Sequence, residues 1–254
     1  MKLKIKTQIT LGVAAALFTI GQAQSQTISI QFSGGSPAVT GTTGAVPAPN
    51  WNVLGGLNLS AGSLVDDTGS ATTLGLSTAS WGFNASWGVT ATDFQRLYNN
   101  GLAKDNGGSG NPPPTATISL SSIPYANYDV YIYYNAYANG VVQEWSDGAT
   151  TLYGMTPASG AVGPNQSGFT LYQAGSLAAA QAGSGGNYLV FTGETASSLT
   201  LSSLGSSQAI FYQENSIAGI QIVQVAPVPE PSIMALAGLG GLVTLLMVRR
   251  QQAA

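Results

Sequence analysis

The sequence predicts an all-β protein: a single β-sandwich with one short helix, flanked by an N-terminal signal peptide and a C-terminal transmembrane helix. Three observations carry that expectation. Apolar and polar residues alternate with period two through the middle of the chain, the period at which a strand sends successive side chains to opposite faces. Clusters of Gly and Pro cut this alternation into short runs. The two ends of the 254-residue chain are apolar and hold most of its basic residues, unlike the middle. Setting the ends aside leaves residues 26–226, long enough for one domain with a real core.

Taken in order, the alternating runs begin at residues 28–32, Ile-Ser-Ile-Gln-Phe. The clearest spans 81–90, where Trp81, Phe83, Ala85, Trp87 and Val89 fall on one face and small or polar residues on the other. Further strands are expected at 116–120, 128–134, 188–192, 198–201, 209–212 and 217–225. The run 128–134 is apolar or aromatic on both faces apart from Asp129, which predicts a strand covered on both sides. One helix is expected after Thr92-Asp93-Phe94-Gln95, a capping-box pattern, with Phe94, Leu97 and Tyr98 on one face and Gly101 placed to end it. Long Gly- and Pro-rich loops are expected at 34–50, 105–114 and 156–168. The last run, Ile217-Ala218-Gly219-Ile220-Gln221-Ile222-Val223, resembles the final strand of galactose-binding-like and malectin-like jelly rolls. That resemblance implies a jelly-roll sandwich and carries no ligand residues with it.

Residues 1–25 have the three parts of a secretory signal peptide. Lys2, Lys4 and Lys6 form a positive start, residues 9–20 an apolar stretch too short to span a bilayer, and Ala23 and Ser25 the small residues before a cleavage after Ser25. Gly21 and Ala23 define an alternative cleavage site. At the other end, Pro229-Glu230-Pro231 precedes an apolar run over 233–248 and then Arg249-Arg250. Those residues make a helix of roughly 24 Å, shorter than the ~30 Å hydrocarbon core. The arginines would stay cytoplasmic and leave the body outside. The order of triplet, short apolar helix and terminal arginines over 228–250 resembles the PEP-CTERM sorting signal of Gram-negative bacteria. The resemblance implies recognition of Pro229, Glu230 and Pro231 by an exosortase-type membrane protease. It also implies a stop signal at Arg249 and Arg250, and delivery to the surface or to exopolysaccharide.

Composition removes several functions. Arg96 and Lys104 are the only basic residues of 26–226, against nine acids, so the body cannot neutralise phosphates and no nucleic-acid partner is expected. Cys and His are absent, which removes disulfides, thiol nucleophiles, Ser-His-Asp triads and most metal sites. Only carboxylates remain for catalysis, and the adjacent pair Asp66-Asp67 reads as a turn before Thr68-Gly69 rather than as a catalytic dyad. Glu144-Trp145-Ser146-Asp147-Gly148 sets two acids beside a Gly but matches no complete EF-hand loop, so no metal or other cofactor is expected.

A carbohydrate site needs an aromatic platform beside acids and amides. Tyr125, Tyr137, Trp145, Asp147 and Tyr153, in or beside expected loops, are the candidate contacts. The expected function is that of a non-enzymatic surface or matrix protein with a structural or adhesive role. The alternative is a carbohydrate-binding module, and more distantly a carboxylate glycosidase.

Overall fold

A computed structural model describes residues 25–34, 37–86, 91–105, 115–136, 138–158, 168–204 and 214–226. In chain order these residues form β1 (Thr27–Ser33), β2 (Asn52–Gly55), β3 (Ser60–Ala61), β4 (Gly75–Ala79), β5 (Phe83–Ser86), α1 (Asp93–Tyr98), β6 (Asn100–Asp105), β7 (Ala116–Ser121) and β8 (Tyr128–Tyr134). They continue as β9 (Val142–Ser146), β10 (Thr151–Met155), α2 (Leu177–Gln181), β11 (Tyr188–Glu194), β12 (Leu199–Ser203) and β13 (Glu214–Gln224).

The strands make two sheets. A seven-stranded sheet runs β11-β8-β13-β1-β2, with β6 also on β13 and β5 on β6. A six-stranded sheet runs β10-β9-β12-β7-β4-β3. The pairings from β6 onward are nested: β9 with β10, β8 with β11, β7 with β12, and β6 with β13, all antiparallel. Successive nested pairs alternate between the two sheets, so one long hairpin is folded over on itself. β1 adds to β13 antiparallel, and β2 adds to β1 in parallel.

Both sheets turn apolar side chains into one core. Ile28, Ile30 and Phe32 of β1, Val130 and Ile132 of β8, and Ile220 and Ile222 of β13 meet Ile118, Leu120, Trp145 and Leu201 from the other sheet. At about 25 cal/mol per Å² of apolar surface, each fully buried Ile or Leu contributes of the order of 2 kcal/mol.

The seven-stranded sheet is covered on its outer face as well, by a second cluster that includes Val39, Trp51, Leu97, Tyr133 and Ala218. This explains why both faces of β8 are apolar: Val130 and Ile132 belong to one core and Tyr133 to the other. Buried amides latch the covering segment down. Gln31 Nε2 donates to the Arg96 carbonyl (2.7 Å) while its Oε1 accepts from Val39 N–H (2.9 Å). Gln221 Nε2 donates to the Val46 carbonyl (2.8 Å), and its Oε1 accepts from the Tyr133 hydroxyl.

The strands expected at 28–32, 116–120, 128–134, 188–192, 198–201 and 217–225 match β1, β7, β8, β11, β12 and β13. The helix follows its capping box, with Gln95 N–H donating to Thr92 Oγ1 (3.2 Å) and Gln95 Oε1 accepting from Thr92 N–H (3.1 Å). Its end differs from expectation, because Asn99 is the C-cap and Gly101 lies inside β6. A Cβ on Gly101 would collide with the Ile217 carbonyl, so Gly is required by the close approach of β6 to β13 and not by a helix stop.

Within the run 81–90 the strand starts later than the alternation suggests, at Phe83. Trp81 precedes β5 and is buried, whereas Phe83 is 37% exposed on β5, which among the described residues pairs with β6 alone. The helix α2, the strands β2, β3, β4 and β6, and the hairpin β9–β10 are additions to the expected elements. The expected strand at 209–212 lies outside the described residues, as do 87–90, the signal peptide to residue 24 and the tail from 227.

Candidate functional site

The aromatic and acidic residues proposed for carbohydrate are not gathered on one exposed face. Trp145 sits on β9 with no exposed surface and its ring stacks on Trp81 at 6.3 Å and 30°. A ring enclosed on both faces cannot be a sugar platform, so Trp145 is corrected to a core residue. Asp147 closes the β9–β10 turn, its Oδ1 accepting from Ala149 N–H (2.8 Å) and Thr150 N–H (2.6 Å). The left-handed Gly148 (φ +96°) lets that turn close. Tyr153 is half-buried on β10, opposite Glu144. Tyr137 lies outside the described residues. Tyr125 is apart from these: it is 95% buried and faces a different feature.

That feature is a polar cavity of ≈ 280 Å³ lined by Gln26, Asp66, Thr72, Pro124, Tyr125 and Gln224 among others. It lies where the chain enters and leaves the domain, since Gln224 N–H donates to the Gln26 carbonyl (2.8 Å). Asp66 stands in the turn that the sequence suggests. Its Oδ1 accepts from Thr68 N–H (2.9 Å), Thr68 Oγ1 (2.6 Å) and Ser70 N–H (3.0 Å). The Thr68 hydroxyl holds this carboxyl below the usual carboxylate range, against the opposing effect of burial, so Asp66 is anionic at neutral pH. The Tyr125 hydroxyl is buried and has no hydrogen-bond partner among the described residues. Burial first, then the charges of Asp66 and Asp67, push this phenol above its ordinary value. Sequence reading found Tyr125 and the Asp66 turn separately. Gln26 and Gln224 join them only through pairing of the first and last strands, which no local pattern records.

A second acidic site joins Asp129, Asp147 and Glu194. Burial raises the Glu194 carboxyl, followed by the charge of Asp147, a hydrogen bond with it, and the charge of Asp129. Asp129 Oδ1 also accepts from Gly193 N–H (2.9 Å). A carboxyl raised in the folded state binds its proton more tightly there, so its charged form destabilises the fold above the unfolded value of 4.5. We expect Glu194→Gln to raise the melting temperature at pH 7 by about 2 °C, on the usual size of surface charge effects. The gain should vanish near pH 4. Melting curves at the two pH values check it, and a lower melting temperature at pH 7 would contradict the repulsion.

The body is thus an all-β domain whose chain ends converge beside a polar cavity. The tail that follows it carries the clearest functional mark. A family model of the PEP-CTERM protein-sorting motif matches residues 227–251. The chain therefore carries a PEP-CTERM sorting signal, the mark of an exported protein that an exosortase system sorts toward the cell surface. No curated protein and no solved structure matches the chain. Among the described residues no helix is long and apolar enough to cross a membrane, and the candidate span 233–248 is not among them.

Proposed function

We propose that this is a non-enzymatic surface or extracellular-matrix protein, associated with exopolysaccharide and serving a structural or adhesive role. Residues 1–25 act as a removable signal peptide. The helix over 233–248 holds a membrane-bound precursor, with Arg249 and Arg250 as the stop signal, until an exosortase-type protease recognises Pro229, Glu230 and Pro231. The body is a jelly-roll β-sandwich. Its nested strand pairs, alternating between two sheets around one core, support that reading and agree with the galactose-binding-like pattern of the last strand.

The observation that carries the proposal is the sorting motif at 227–251. Glu230→Ala tests it, because the change leaves the apolar run and both arginines intact. In the native host, wild type should appear at the surface or in the matrix, shortened by about the 23 residues after Pro231. The variant should stay in the membrane fraction at full length. Equal size and location for the two proteins would replace sorting by permanent anchoring.

A further inference from the structure

The cavity beside Tyr125 brings one of the buried polar groups that lack a partner among the described residues next to open space. We propose that it binds one neutral sugar unit of a polysaccharide, through Asp66, the Tyr125 hydroxyl and the side-chain amides of Gln26 and Gln224. The proposal rests on the adhesive reading of the body and supplies it with a ligand class.

Four features of the site lead there. Tyr125 lines the cavity and its buried hydroxyl has no partner among the described residues, whereas buried polar groups in folded proteins are almost always satisfied by protein, water or ligand. Asp66 is fixed by three hydrogen bonds, all to Oδ1, so Oδ2 takes part in none of them. A fixed carboxylate and two amides are acceptors and donors suited to neighbouring hydroxyls on a ring. Pro124 and the Tyr125 ring add apolar surface for the C–H face of such a ring. Finally, the cavity lining contains no Lys or Arg, and Asp67 stands beside Asp66. Phosphorylated sugars and uronates would meet unbalanced negative charge there. A metal ion lacks its ligands, since among the described residues no group of three or more acids is placed to hold one. The volume, ≈ 280 Å³, is just under the 300–1,000 Å³ range of ligand pockets and suits a single ring rather than a chain.

The test uses the full chain purified in detergent. Ligand-observed NMR is run with methyl β-D-glucoside, methyl β-D-galactoside, methyl α-D-mannoside and glucuronate. At least one neutral glycoside should show saturation transfer, and glucuronate should show none. Tyr125→Phe should weaken that binding by about tenfold, the effect of one directional hydrogen bond lost. Its melting temperature should stay level or rise, because the deleted hydroxyl has no partner in the fold. Gln26→Ala, which keeps the backbone bond to Gln224, should also weaken binding. Absence of transfer from every neutral glycoside would overturn the proposal, as would binding unchanged in both variants. A lower melting temperature for Tyr125→Phe would show that the hydroxyl serves the core. Calcium chloride alone raising the melting temperature would assign the cavity to a cation. None of these outcomes depends on the sorting of Glu230→Ala.

Discussion

Trp145→Ala should cost about 3–5 kcal/mol of stability, the range for emptying an aromatic from a packed core. For a body of this length that corresponds to a melting temperature lower by roughly 10 °C. The indole has no exposed surface and stacks on Trp81, so its loss also strips one face of the neighbouring ring. The cavity would open in the core between the two sheets, beside Trp81, and Trp145 lies opposite Ser203 of β12 in the ladder. Trp145 Nε1 and the Ser203 hydroxyl are both buried without partners among the described residues, which separates two contributions to the site. Trp145→Phe removes the unpartnered N–H and keeps an aromatic ring, so it should cost much less than the Ala variant. Differential scanning calorimetry of the three proteins checks the order. Equal melting temperatures for wild type and Trp145→Ala would mean that the ring lies at the surface, and the glycan platform would return as a reading of that residue.

The same residue shows why part of the fold was legible in the sequence and part was not. Strands β1, β7, β8, β12 and β13 bury large aliphatic or aromatic side chains at regular intervals, so their alternation stands out locally. β9 holds Val142, Gln143, Glu144, Trp145 and Ser146, where a buried Gln breaks the alternation and an Asp-Gly turn follows at once. That segment is a strand because β10 and β12 pair with it, a fact of tertiary structure. β6 is hidden for a related reason: its Gly101 serves close contact with β13, while in sequence Gly reads as punctuation. The helix was legible to its first residue because a capping box is a local pattern. Its end was not, since the C-cap is an Asn with no left-handed glycine after it.

The candidate sites divide along the same line. The sorting signal is contiguous, and its motif, apolar run and arginines sit within one short stretch. The cavity takes Gln26 from one end of the body, Gln224 from the other, and Asp66 and Tyr125 from loops between. Residue types alone named Tyr125 together with four partners, and of the three described partners none lines that cavity.

The body should unfold cooperatively in alkali, between about pH 10 and 12. Four of the five tyrosines buried among the described residues set this limit: Tyr125, Tyr128, Tyr133 and Tyr134. Burial is the first cause of the raised value in each, and it pushes Tyr128 up to about 12 from 10.0. Two of the hydroxyls donate to backbone carbonyls, Tyr128 to Ala196 (2.7 Å) and Tyr134 to Tyr172 (3.0 Å). Ionisation would set a phenolate against those carbonyl oxygens. The folded value of each group exceeds the unfolded one, so their contribution is fully present below pH 10 and is lost as pH rises through the folded values. Each group loses about 1.4 kcal/mol per pH unit in that window, and four together approach the ~5–15 kcal/mol of a typical domain within two units. The chain has no His and no Cys, so no side chain of ordinary pKa near neutrality bends the stability curve between the carboxylates and the tyrosines. Circular dichroism should therefore stay flat from about pH 6 to 9. The tyrosinate absorbance of these four rings should then rise in one step with loss of the β-sheet signal. Tyr134→Phe should be less stable at pH 7, where the Tyr172 and Met155 carbonyls lose the hydroxyl they share, yet fall less steeply above pH 10, so its stability curve converges on the wild-type curve. Ionisation of all eleven tyrosines near pH 10 with the sheet signal intact would contradict their burial.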